Sequence, residues 1–416
     1  MLQTLSNAFK VPELRSKLVY LLGVFLLYAF GMHIPVPGIN HEALESMFGS
    51  GTLFGMWDLF AGGSLRRFSI FALGIMPYIN ASIIFQLLTV VIPKLEELAK
   101  EGETGQKQIA QWTRYLTIIL GFVQAFGMYV MLSQAGAIEN TSILNVFVIV
   151  TTLVGGTAFL MWLGEEVSQK GIGNGVSLII FIGIVASLPT QIGQTALIVR
   201  DYSRYGAAIV LTLVSIATVA FIILIHKGER KIPVQYAKRV VGRKVYGGQT
   251  TYIPMKVNSA GVIPIIFAVS ILMFPATIGQ FIPHPTVQEW VAKFNSTLIY
   301  NVSYFILVFM FTFFYTAVVF NPKDIAERMK RHGGFILGIR PGKPTAEYLE
   351  RIMIRITFMG ALFLGTIAVM PSVIMAITDL KTFQLGGTSL LIMVGVILDT
   401  VQHIEAQLLM RHYEGF

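Results

Sequence analysis

The sequence predicts an all-α polytopic membrane protein, on three observations. Its residues are 54% hydrophobic and only 13% charged, with a mean hydropathy of +0.69, well outside the range of soluble domains. Apolar stretches near the length that crosses a bilayer core, about 20 residues for a helix, recur ten times along the chain. The basic residues gather on one side of those stretches.

The stretches run Leu18 to Met32, Phe68 to Ile92, Tyr115 to Leu132, Ile143 to Gly164, Val176 to Val199, Ala207 to Ile225, Ala260 to Ile282, Thr297 to Phe320, Ile356 to Ile377 and Thr388 to Ile404. Lys10, Arg15 and Lys17 precede the first, as in a signal peptide, but no small-residue cleavage site follows it. Pro35-Val36-Pro37-Gly38 instead reads as a rigid turn into an external loop. The last stretch is short and carries Asp399, read as a residue near a helix end that reaches the interface.

With the N-terminus inside, 25 of the 31 Lys and Arg residues fall on the cytoplasmic side and six on the other. That asymmetry follows the positive-inside rule, places both termini in the cytoplasm, and would be scrambled by a missed span. Sixteen of the 31 lie in two segments, His226 to Val257 and Asn321 to Arg355. The net charge of +9 is therefore an interaction surface as well as an orientation signal. No cysteine is present, which excludes disulfides and thiolate metal or redox sites.

Two echoes relate the halves. Gly74-Ile75-Met76-Pro77-Tyr78-Ile79 in the second span and Gly261-Val262-Ile263-Pro264-Ile265-Ile266 in the seventh share Gly-x-x-Pro-x-Ile. Ser177-Leu178-Ile179-Ile180 follows Gly173-Asn174-Gly175 in the fifth, and Ser389-Leu390-Leu391-Ile392 follows Gly386-Gly387-Thr388 in the tenth. Each pair is five spans apart, and an odd interval makes the repeat inverted. The chain thus divides into residues 1–206, with spans one to five, and 207–416, with spans six to ten. Gly and Pro are expected to loosen these four helices, which membranes tolerate beside a protein-lined cavity. Kinks in lipid-facing helices are the alternative.

Catalytic chemistry finds no support. No His-Glu-x-x-His motif occurs, the histidines have no ligand-like spacing, and no phosphate-binding loop is present. Nine of the ten spans carry no ionisable side chain in their interior, unlike ion-coupled carriers. The reading is of a non-enzymatic protein without metal or cofactor. In the first basic segment, Val240, Val245 and Tyr246 punctuated by Gly242, Gly247 and Gly248 predict a protruding hairpin. Its Lys238, Arg239, Arg243 and Lys244 suit RNA phosphates or an acidic protein groove.

Longer blocks resemble the SecY family of protein-conducting channels, in its bacterial form. They are Phe71-Ala72-Leu73-Gly74-Ile75-Met76-Pro77-Tyr78-Ile79-Asn80-Ala81-Ser82-Ile83-Ile84, Trp162-Leu163-Gly164-Glu165-Glu166 and Lys170-Gly171-Ile172-Gly173-Asn174-Gly175-Val176-Ser177. Tyr236-Ala237-Lys238-Arg239, Lys256-Val257-Asn258-Ser259-Ala260-Gly261-Val262-Ile263-Pro264, Phe320-Asn321-Pro322, Gly338-Ile339-Arg340-Pro341-Gly342 and Gly386-Gly387-Thr388-Ser389-Leu390-Leu391-Ile392 extend the match over nearly the whole chain.

The resemblance implies ten transmembrane helices in two inverted five-helix halves around a central pore, in the cell membrane, passing unfolded polypeptide. By position it puts a pore ring on Ile75, Ile79, Val176, Ile180, Ile266 and Ile392, although helix packing alone would account for any one of them. It puts a plug in residues 53–67, at Trp57, Leu59, Phe60, Ala61, Gly62, Gly63 and Ser64, where an interfacial half-helix is the alternative. A lateral gate opens between the second and seventh helices, with Gln86 and Asn258 expected to hold it by interhelical hydrogen bonds. Lys238, Arg239, Arg243, Lys244 and Arg340 are expected to engage a SecA-type motor ATPase or the ribosome and its RNA; Arg351 and Arg355 read as orientation charge. SecE-like and SecG-like small subunits are the implied membrane partners, and hydrophobic segments would leave sideways into lipid. A secondary transporter binding solute at the Gly-rich breaks, and an RNA-tethering receptor without a pore, are the rival readings.

Overall fold

A computed structural model of the chain describes residues 8–40, 44, 58, 61–138, 140–198, 205–236, 239–241, 244–246, 250–281, 285–294, 297–378 and 387–414. In chain order its helices are α1 (Pro12–Gly31), α2 (Met76–Val91), α3 (Pro93–Lys100), α4 (Glu103–Gln134), α5 (Ile143–Lys170), α6 (Gly175–Ile198), α7 (Tyr205–Lys227), α8 (Ile263–Phe281), α9 (Pro285–Phe294), α10 (Thr297–Val319), α11 (Pro322–Arg331), α12 (Lys343–Thr378) and α13 (Gly387–Glu414). Strands β1 (Glu229–Tyr236), β2 (Arg239–Val241), β3 (Lys244–Tyr246) and β4 (Thr250–Lys256) lie between α7 and α8, and β5 (Gly334–Phe335) follows α11.

Each apolar stretch of the sequence carries a helix. Among the described residues, six helices are long and apolar enough to cross a membrane, and α2 with α3 adds a candidate bent by 102° at its break. Ile92 causes the bend: it precedes Pro93 and takes an extended ψ of 112°, because the proline ring disfavours helical backbone in the residue before it. The apolar parts of α6, α7 and α8 are shorter.

The second stretch departs from expectation. Residues 61–75 form successive turns and helix begins only at Met76. Phe68 and Gly74 take φ of 45° and 59°, left-handed values that cannot continue a right-handed helix. The irregular backbone is satisfied by protein, as membrane depth demands: Val36 N–H donates to the Phe68 carbonyl at 2.9 Å, and Ile70 N–H to that of Ile34 at 3.0 Å.

The Gly-x-x-Pro echoes are likewise corrected. They start helices and do not kink them. Gly74 and Gly261 have φ of 59° and 64°, and Pro77 and Pro264 fall in the first turns of α2 and α8. Proline is favoured there, since the first N–H groups of a helix have no intrahelical acceptor.

Within residues 1–206, α2 packs on α4 and α5, α4 on α5, α5 on α6, and α1 on α5 and α6. Within 207–416, α8 packs on α10, α10 on α12, and α13 on α7 and α12. The principal contacts between these sets are α2 with α8, α4 with α8, and α6 with α13. One continuous apolar core results. Large side chains such as Leu26, Phe30, Ile143, Leu144 and Leu298 point outward and are more than two-thirds exposed. Apolar surface on that scale needs a covering, and lipid provides it.

The two basic segments form one unit. Strand β1 pairs antiparallel with β4, Ile232 opposite Ile253, and its end pairs with β5, Gln235 opposite Phe335. Beneath this sheet Ile232, Val234, Met255, Met329, Ile336, Leu349 and Ile352 make a second buried core. What read as two separate loops is therefore a small packed domain, into which the 36-residue α12 extends well ahead of its apolar stretch.

Candidate functional site

All six residues expected to ring a pore lie within about two turns of a helix start. Ile75 immediately precedes α2 and Ile79 is in its first turn. Val176 and Ile180 are four apart at the head of α6, Ile266 is in the first turn of α8, and Ile392 is near the head of α13. The local sequence sets these starts. Asn174 Oδ1 accepts from Ser177 N–H at 3.1 Å at the head of α6, and Ile79 N–H donates to the Ile75 carbonyl at 3.1 Å in the first turn of α2.

Ile75, Ile79, Ile180, Ile266 and Ile392 are at most 5% exposed, and Val176 packs against the same core. At Gly164 of α5 an added Cβ would stand 3.6 Å from both Ile75 Cδ1 and Val176 Cγ2, so these two side chains meet at the one glycine. The six residues, at the heads of four helices from both halves of the chain, all join the one continuous apolar core.

Of the expected plug, Trp57, Leu59 and Phe60 lie outside the described residues. Ala61, Gly62, Gly63 and Ser64 are described; they form turns where a short helix was expected. Asp58 organises them: its carbonyl accepts from Gly63 N–H at 2.8 Å and its carboxylate from Arg66 N–H at 2.9 Å. Burial pushes the Asp58 carboxyl above the usual carboxylate range, against the opposing pull of the Arg66 N–H and the Arg66 and Arg67 charges.

The two helices expected to flank a gate, α2 and α8, pack against each other. Gln86 on α2 is half-buried. Asn258 lies in the turn before α8, and its amide donates to the Gly261 carbonyl at 3.2 Å. That bond is local, which corrects the expected interhelical one. The sequence reading passed over other polar groups here. Asn80 on α2, Gln124 on α4 and Ser270 on α8 are buried, and Asn80 Oδ1, Gln124 Oε1, Ser270 Oγ and Asn258 Oδ1 have no hydrogen-bond partner within the described chain. A polar side chain at mid-span in each of three mutually packed helices was the available signal.

On the basic domain, Lys238 and Arg243 lie outside the described residues. Arg239 and Lys244 lie in the inner ribbon, Arg239 opposite Tyr246 and Lys244 opposite Val241. The expected hairpin is therefore present, carried on the longer β1–β4 ladder. Arg340 is exposed on a tight turn between Gly338 (φ 79°) and Gly342 (φ 103°), and its carbonyl accepts from Thr345 Oγ1 at 2.8 Å. Asp399 is not at a helix end. It sits within α13, and its Oδ1 lies 3.1 Å from Nε2 of buried His226 at the end of α7.

Fold and site together define a polytopic helical membrane protein with one continuous apolar core shared by helices from both ends of the chain, and a small basic domain built from residues 229–256 and 321–355. The SecY family model matches residues 69–401, and the chain belongs to that family. Among curated relatives, the protein translocase subunit SecY of Streptomyces scabiei is 45% identical over 443 residues, and that of Halalkalibacterium halodurans 47% identical over 429; both alignments cover all of each chain. A solved structure described as a protein-conducting channel has TM-score 0.66 at 21% identity, covering 94% of this chain and 92% of that one. Sec61 in the canine ribosome-channel complex from the endoplasmic reticulum has TM-score 0.63 at 20% identity, covering 94% and 92%. At those identities the structures speak for the fold.

Proposed function

We propose that this chain is the pore-forming subunit of a protein translocase, passing unfolded secretory polypeptide across the cell membrane and releasing hydrophobic segments sideways into lipid. The observation that supports the reading is that Ile75, Ile79, Ile180, Ile266 and Ile392 are all buried, with Val176 packed against the same core, at the heads of four helices that pair across the two halves. A narrow hydrophobic constriction resists wetting, so it holds back ions when empty, and flexible aliphatic side chains can close round an extended chain of any sequence.

The halves 1–206 and 207–416 hinge as two jaws, and the gate is the α2–α8 seam. Asn80 on α2 and Ser270 on α8 each bury a polar atom without a partner in the described chain, at a cost of about 1–3 kcal/mol each, which supports a contact that an incoming signal helix can part. Residues 53–67 plug the channel from outside. Lys238, Arg239, Arg243, Lys244 and Arg340 face the cytoplasm, with both termini, and engage a SecA-type motor or ribosomal RNA, whose carboxylates or phosphates match guanidinium donors. SecE-like and SecG-like subunits complete the assembly. The partner provides the energy.

The test uses the cysteine-free background. Ile79→Cys, reconstituted with its partners, is challenged with a stalled precursor carrying one cysteine in its translocating segment. A disulfide that requires both signal sequence and driving partner is the expected result. Translocation without any such crosslink would remove Ile79 from the path.

A further inference from the structure

The described part of the plug is fastened to two residues that neither motif nor charge pattern singled out, Tyr28 on α1 and Gly183 on α6. Tyr28 O–H donates to the Ala61 carbonyl at 3.2 Å, and the two residues are 1% and 0% exposed. The Tyr28 ring stacks on Phe71 at 5.6 Å between centroids, and Phe71 on Phe159 at 6.0 Å. This stack fixes where the hydroxyl can reach.

Gly62 lies directly against Gly183. A Cβ added at Gly62 would stand 2.7 Å from Gly183 Cα, 2.9 Å from its carbonyl oxygen and 3.0 Å from the Tyr28 hydroxyl. One added at Gly183 would stand 3.0 Å from the same hydroxyl and 3.4 Å from Gly62 Cα. Three elements therefore interlock round one hydroxyl group, with bare backbone on two sides. Gly62 also has φ of 70°, where side-chain-bearing residues are strained. The turn itself closes on Asp58, so it can leave as a unit once the Tyr28 bond and the glycine contact are given up.

We propose that Tyr28 and Gly183 are the seat of the plug: positioning residues that hold residues 61–64 closed and set how readily the channel opens. The inference rests on the channel reading. The hydroxyl's hydrogen bond and the close glycine contact add to the burial of Ala61 and Ser64 in holding the plug at rest.

The test uses the complete channel complex in proteoliposomes, with Tyr28→Phe, Gly183→Ala and the double variant. Two quantities are read: halide leak at rest, and translocation of a precursor whose signal sequence is deleted. Tyr28→Phe keeps the ring stack, so it folds, and loss of the hydroxyl's hydrogen bonding is expected to raise the leak about three- to tenfold and to admit the signal-less precursor. Gly183→Ala is expected to do the same by pushing on the hydroxyl and on Gly62. Because its closest contact is that hydroxyl, the two changes are expected to be non-additive, the double variant leaking no more than the worse single. Unchanged leak and an intact signal requirement in both single variants would overturn the seat, as would strictly additive effects. Failure of the wild-type complex to move an intact precursor with its driving partner would instead sink the channel reading, so the two failures are told apart.

Discussion

Individual positions in this chain are constrained by how closely backbones approach. Gly156 of α5 is a sharp case: a Cβ there would stand 1.9 Å from the Ile70 carbonyl oxygen, part of the irregular stretch before α2. Backbone cannot yield as a flexible side chain can. Gly156→Ala is expected to lower stability by about 1–3 kcal/mol, seen as a lower unfolding temperature of the purified complex. Asp58 gives a pH prediction. Its folded carboxyl holds a proton more tightly than the ordinary value of 3.8, so the folded turn is favoured by protonation. That stabilisation grows as pH falls through the raised folded value, is fully present below the ordinary value, and is lost as pH rises. Resting leak is therefore expected to fall as the external solution is acidified. Asp58→Asn, permanently neutral, is expected to flatten that dependence; an unchanged profile would separate the carboxyl from the plug.

The elements differ in how openly the sequence displayed them. Hydropathy alone located every long helix, because a bilayer leaves the backbone one choice over a long apolar run. Helix starts were less legible. Gly74 and Gly261 look like breaks within a run, and only their positive φ reveals that α2 and α8 begin just after them. The basic domain was hidden further, since Gln235 pairs with Phe335 and His226 meets Asp399 across long sequence separations that no local pattern records. That domain has its own prediction. Leu349 is fully buried in its small core, so Leu349→Ala is expected to cost about 2–5 kcal/mol there. Protease should then cut residues 229–256 readily while the membrane helices stay intact, and binding of the driving partner should weaken. At the gate seam the sign reverses. Ser270→Ala on α8 removes a buried hydroxyl that has no partner among the described residues and should stabilise the packing of α8; if the proposed gate is correct, it lowers translocation of a weak-signal precursor about fivefold.

At the scale of the molecule, the residues proposed to ring the pore come from both halves of the chain and share one apolar core. Ile75, Ile79, Val176 and Ile180 come from the first half and Ile266 and Ile392 from the second, and the halves touch through α2 with α8 and α6 with α13. Resistance to wetting belongs to the closed set of side chains and not to any one of them, because a gap on one side lets water bridge the constriction. Two polar changes placed one in each half, on helices that pack against each other, should therefore act far more strongly than either alone. Ile180→Ser and Ile392→Ser lie on the packed pair α6 and α13. Each single variant is expected to leak ions modestly at rest, its neighbours still excluding water, and the double variant to leak well beyond the sum. Conductance of the reconstituted complex in a planar bilayer reads this directly. Driven translocation should persist in all three, since an extended polypeptide fills the opening that ions would use. Simple addition of the two single effects would mean that these isoleucines pack the helices without forming a shared barrier.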